Sequence, residues 1–149
     1  MKNILKKLSV LLTLVLVLGS LSSQAFATGQ TYKITVYKDP SCTQLASAHA
    51  QDAFIRAEKD GSTFKVVTHK KISGPPPFSW MKGEIKSLKI HNNIGQGRIE
   101  NNASNPRVFI FDNVTQEIQT NTGYKADFSF RLVLFHPQKT VYLKFTPIR

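Results

Sequence analysis

Cysteine is almost missing from this chain. Cys42 stands alone among 149 residues, so no internal disulfide can form and stability must come from a packed core. It sits in YKDPSCTQ, a turn-forming stretch, and a thiol nucleophile would need a base that nothing in the sequence places beside it. Acidic residues are scarce too, nine against 20 Lys and Arg. They are scattered, which leaves no carboxylate pair for glycosidic cleavage. There is no G-x-S-x-G, no H-E-x-x-H, no phosphate-binding loop and no dinucleotide glycine fingerprint. His49, His69, His91 and His136 show no metal-ligand spacing. With these signatures absent, the chain reads as non-enzymatic. A small secreted hydrolase or toxin with an unrecognised site stays open as an alternative.

Long apolar runs are confined to the N-terminus. Lys2, Lys6 and Lys7 precede LSVLLTLVLVLG at Leu8–Gly19, and Ala25-Phe26-Ala27 follows a polar patch. A basic start, an apolar middle and an A-x-A end mark a secretory signal peptide over residues 1–27. The run falls short of the ~20 residues of a spanning helix. The expected product is one secreted or cell-wall-associated domain, residues 28–149, with no transmembrane segment. Three of the 20 basic residues leave with the signal, so 17 stand against 9 acidic ones, a net charge of +8. Such a domain favours anionic partners, an anionic cell-wall polymer among them. Nucleic acid is not favoured. Most aromatics alternate with polar residues, as core positions do, and Tyr142 beside Lys144 is the best site for base stacking.

The stretch that organises the rest is Arg107–Phe135. Tyr124, Ala126, Phe128, Phe130, Leu132 and Leu134 share one parity, and Lys125, Asp127, Ser129 and Arg131 the other. A period of two marks a half-buried strand, here expected to continue to Phe135. Arg107–Phe111 is apolar on both parities, as in a strand covered on both faces. Tyr32–Tyr37, Phe54–Ala57, Phe64–His69, Ile85–His91 and Val141–Phe145 read as further strands, and Arg98–Ser104 can hold a short edge strand. Asp60-Gly61 supplies a tight turn. Ser73–Ser79 (SGPPPFS) is a stiff loop, because three prolines remove three backbone donors. Trp80 and Met81 then return to apolar territory, and His136–Lys139 is a tight link. Leu45–Asp52 is Ala-rich and suits one or two helical turns, with Ser41 or Thr43 as the cap. The sum is an all-β, immunoglobulin-like antiparallel β-sandwich of about eight strands, expected to be a monomer.

Four pieces, in order, resemble the NEAT (near iron transporter) domain, the haem- and haemoprotein-binding sandwich of Gram-positive bacteria. They are YKITVYKD with a Ser-containing helix at Ser47-Ala48-His49, then Lys59-Asp60-Gly61 leading into Phe64-Lys65-Val66. Next come Ser79-Trp80-Met81-Lys82 with Ile85-Lys86-Ser87-Leu88-Lys89, and last RVFIFDNVTQEI at Arg107–Ile118 with the long alternating strand after it. The resemblance covers almost all of residues 28–149 and implies a binding module for iron acquisition.

One departure bears on function. The family ligates haem iron through Tyr in a Y-x-x-x-Y motif on the last hairpin. Counted back from Val141–Phe145, those two places hold Phe135 and Lys139, neither of which ligates iron as a phenolate does. The proline loop is an insertion inside the W-I-K segment. His136 is the imidazole near that motif and becomes the candidate metal ligand. Ser47 falls where the family helix offers a hydroxyl to a haem propionate, and basic residues near it would suit those carboxylates. The candidate ligand-binding set is Ser47, His49, Phe135, His136, Lys139 and Tyr142, between the Leu45–Asp52 segment and the last hairpin. Haem is the implied cofactor, with haem or a haemoprotein as partner.

Overall fold

In the computed structural model, residues 29–74, 76–77, 79–133 and 135–149 are described. The expected signal peptide and Leu134 lie outside them. The elements are β1 (Gln30–Tyr37), α1 (Ala48–Ala53), β2 (Phe54–Asp60), β3 (Thr63–Thr68), β4 (Lys71–Ser73), β5 (Lys82–Ile90), β6 (Gly95–Gln96), β7 (Arg98–Ile99), β8 (Arg107–Phe111), β9 (Tyr124–Arg131) and β10 (Gln138–Pro147). The strands follow one antiparallel path, β4-β5-β9-β10-β1-β2-β3-β8-β7, with β6 attached to β5.

The path is a curled sheet. Its halves close over each other as an immunoglobulin-like sandwich, and β1 turns the corner. Gln30–Tyr32 pair with β2, while Tyr32–Tyr37 pair with β10 from Pro147 back to Tyr142. The Ile148 amide donates to the Thr31 carbonyl at 2.9 Å, so the first and last described strands end side by side. Phe145 joins the halves, meeting Phe64 of β3 edge-on at 5.3 Å and Tyr124 of β9 at 5.4 Å. Such aromatic contacts add about 0.5–1.5 kcal/mol each beyond simple burial.

Arg107 is a second cross-link. Its side chain is fully buried. It starts on β8 and donates to the Ile85 carbonyl at 2.5 Å, to Glu84 Oε1 at 2.7 Å and to the Asn102 carbonyl at 2.8 Å. Burial raises the Glu84 pKa, but hydrogen bonds from Arg107 and Lys86 outweigh it and hold the carboxyl below its ordinary range.

Several expectations change. Among the described residues ten strands stand where about eight are expected, the additions being β4 and β6, only three and two residues long; β7 opens the expected Arg98–Ser104 edge strand. The long strand stops at Arg131. Leu132 bridges back to Phe135, so the chain turns there although the alternation continues. The link to β10 therefore precedes Gln138, and Lys139 is already strand. Trp80 does not return to the core; it is 78% exposed. The cap of α1 is Ser47, whose Oγ accepts from the Ala50 amide at 3.4 Å, in place of Ser41 or Thr43. Phe128, Phe130 and Leu132 are all buried, as their parity predicts.

Candidate functional site

A cleft of about 410 Å³ opens between α1, the start of β10 and the end of β4. That volume lies in the range of small-molecule sites. Its floor is apolar. Phe128 and Phe130 stack at 6.1 Å on the inner face of β9, and Phe54 meets Phe128 edge-on at 5.9 Å from beneath. Val141 continues the floor on β10, and Ile72, Gly74 and Pro76 form the wall beyond β4. Ala46 and Ala50 form the opposite wall.

The polar groups sit at the rim: Lys38, Ser47, His49, Ser73, Lys139 and Thr140. Lys139 pairs in register with Phe128, so strand pleating turns it to the floor's side of the sheet. Lys38 follows Ile34 and Val36 on the inward parity of β1, just past the strand's end. Two ammonium groups thus stand at the rim of an apolar trough, on adjacent strands.

Local chemistry holds α1 in place. Gln51 Oε1 accepts from the Val36 amide at 2.9 Å, and its Nε2 donates to the Val36 carbonyl, so one side chain completes the end of β1 as a neighbouring strand would. The loop before the helix is wound around Asp39. Its carboxylate accepts from Thr43 Oγ1 at 2.6 Å and from the Gln44 amide at 2.8 Å. These bonds to the ionised form, the Thr43 hydroxyl first, lower the Asp39 pKa to about 2. Cys42 lies in this loop at φ 56°. Burial raises its thiol pKa, the opposite of an activated nucleophile.

The structure brings together three of the six candidate residues, Ser47, His49 and Lys139. Phe135 and His136 are exposed on the β9–β10 connection and do not line the cleft. Tyr142 lies on the opposite face of β10, paired with Tyr37 on one side and Lys125 on the other. Sequence reasoning missed Lys38, Gln51 and the proline wall. Lys38 had a usable signal in its parity with Val36. Gln51 had none, because its partner is main chain 15 residues away.

The donor set can be tested against haem. An apolar trough with two cations at the rim fits a flat apolar molecule with two carboxylates. No tyrosine is among the lining residues, and His49 supplies the imidazole there. Among the described residues no cluster of three or more His, Cys, Asp or Glu could hold a bare metal ion.

This architecture is NEAT-like: a curled antiparallel sandwich with a short helix over the mouth of its last hairpin. No protein-family model matches the chain, and no curated protein matches it. Solved structures with this fold include the NEAT5 domain of IsdX2, a B. anthracis hemophore, in complex with heme, at 16% identity and a TM-score of 0.50. A point mutant of that domain, also in complex with heme, aligns at 15% identity and a TM-score of 0.54. Each alignment covers 83% of this chain and 98% of the other.

Proposed function

We propose that this chain is a secreted, non-enzymatic NEAT-like module that binds haem in its cleft for iron acquisition, taking it free or from a haemoprotein. The observation that carries the reading is the stacked Phe128–Phe130 floor with Lys38 and Lys139 at its rim. The floor takes the porphyrin face by apolar burial, and the ammonium groups take the propionates. Ser47 has used an acceptor lone pair on its own helix, so its hydroxyl hydrogen is free to donate toward a carboxylate. Haem, when bound, would supply an iron that an imidazole nitrogen could ligate. His49 lines the cleft and is the first candidate, with His136 on the neighbouring connection the second.

Titrating hemin into the purified chain tests this. The expected result is a saturable Soret shift. His49→Ala should change the position of the band, and His136→Ala should leave it. Lys38→Ala and Lys139→Ala should each weaken binding roughly fivefold, the scale of a solvent-exposed ion pair. An unshifted Soret band at every hemin concentration would sink the reading.

A further inference from the structure

Beyond the cleft, the positive charge is segregated. Residues 61–83 and 128–149 contain no Asp or Glu. Together they hold eight Lys and Arg, and the rest of the domain carries nine basic and nine acidic residues. The whole excess of +8 therefore lies in two stretches. The fold sets them side by side, since β5 pairs with β9 through Glu84↔Arg131 and the Gly83 Cα faces the Leu132 side chain. The β4–β5 and β9–β10 connections consequently leave the same end of the sheet from neighbouring strands.

Both tips are apolar. Trp80 is 78% exposed on one and Val133 75% exposed on the other, with Phe135 at 56%. Lys71, Lys82, Arg131 and Lys139 stand on the strands that lead into these tips, all exposed, and among the described residues none of these four is in an ion pair. Exposed Pro76 and Pro77 carry no amide hydrogen, so this part of the backbone has fewer donors to strip of water. Exposed aromatic and apolar side chains beyond strand ends that carry unpaired cations match an anionic lipid surface: the apolar groups enter the headgroup layer, and the cations meet the phosphates. Tryptophan in particular favours the membrane–water interface. A second copy of the chain is a poor occupant, because it would oppose one cationic end to another.

We propose that these paired tips dock the domain on an anionic lipid bilayer. Pro76 and Lys139 belong both to this end and to the cleft wall, so docking sets the cleft mouth beside the lipid surface. The attachment is peripheral: among the described residues no helix is long and apolar enough to cross a membrane.

Trp80 is the chain's only tryptophan, so its fluorescence reports the contact directly. The experiment uses the chain from Thr28, which contains every described strand, without hemin. It is mixed with phosphatidylglycerol vesicles, phosphatidylcholine vesicles or a soluble polyanion. Expected are co-sedimentation with phosphatidylglycerol only, a blue shift of Trp80 emission and its protection from aqueous quencher. Trp80→Ala and Val133→Asp should abolish sedimentation, with circular dichroism confirming the fold. Lys82→Gln with Arg131→Gln should lower partitioning about thirtyfold. Unshifted emission with phosphatidylglycerol overturns the proposal. So does an equal response to the polyanion, or undiminished sedimentation of Trp80→Ala, since either would mean charge adsorption without insertion. Hemin affinity is a separate readout, so failure here leaves the cleft reading standing.

Discussion

Asp39 shows how much one exposed side chain can organise. It ties Thr43 and Gln44 back to the end of β1 and so sets the direction from which the chain enters α1. Its folded pKa, about 2, lies below the ordinary value of 3.8. A depressed carboxyl pKa stabilises the fold above the unfolded value, and that contribution fades as pH falls through the folded value. Acid titration of the thermal midpoint should therefore fall between pH 3.8 and about 2. In Asp39→Asn the midpoint should be lower at neutral pH and the slope over that window flatter. An unchanged slope would show that the carboxylate bonds do not persist in solution. The turn itself was legible in Asp-Pro-Ser. The bonds from Thr43 and Gln44 were not, since an Asp beside a proline reads the same whether or not later amides fold back onto it.

At the scale of elements, α1 has too few turns to hold itself, because isolated helices under ~12–15 residues are marginal in water. Its position depends on the Gln51 bonds to Val36. Gln51→Ala should leave global stability within about 1 kcal/mol, the usual net value of such bonds. It should weaken hemin binding more than that, because the helical wall loses its tether. Paired unfolding and hemin titrations would separate the two effects. Equal losses would mean that the bonds serve the fold alone. The strands were legible wherever parity was clean, as in Tyr124–Arg131. It failed where the backbone departs from regular pairing. Ile85, Leu88 and Ile90 are all buried despite broken parity, because a register shift between Ile85 and Ser87 returns both sides to the core. The alternation past Arg131 misled for the opposite reason. Hydrophobic spacing continued, but the ladder to β5 had ended and the chain turned.

For the molecule as a whole, closure of the sandwich rests on contacts that no local pattern announces. Arg107 opens a strand where a basic residue reads as solvent-facing, yet it crosses the interior to β5. Arg107→Ala would leave the Ile85 and Asn102 carbonyls without their donor and Glu84 without its principal cation. A loss of about 3–5 kcal/mol is expected, the scale for breaking a buried charged pair. Chemical denaturation measures it, and a loss below about 1 kcal/mol would show that the cross-link contributes little. Order of motifs and parity were sufficient for the sandwich. They could not bring Lys38 and Lys139 to the rim of one floor, since that depends on which strands become neighbours after the sheet curls.

The side-by-side pairing of Tyr32 with Pro147 has a practical corollary. β1 runs toward the cleft and β10 runs away from it, so both ends of the domain emerge at the pole opposite the mouth. A linker, resin or sister domain attached at either end would hold the molecule from behind, with its opening facing outward and unobstructed.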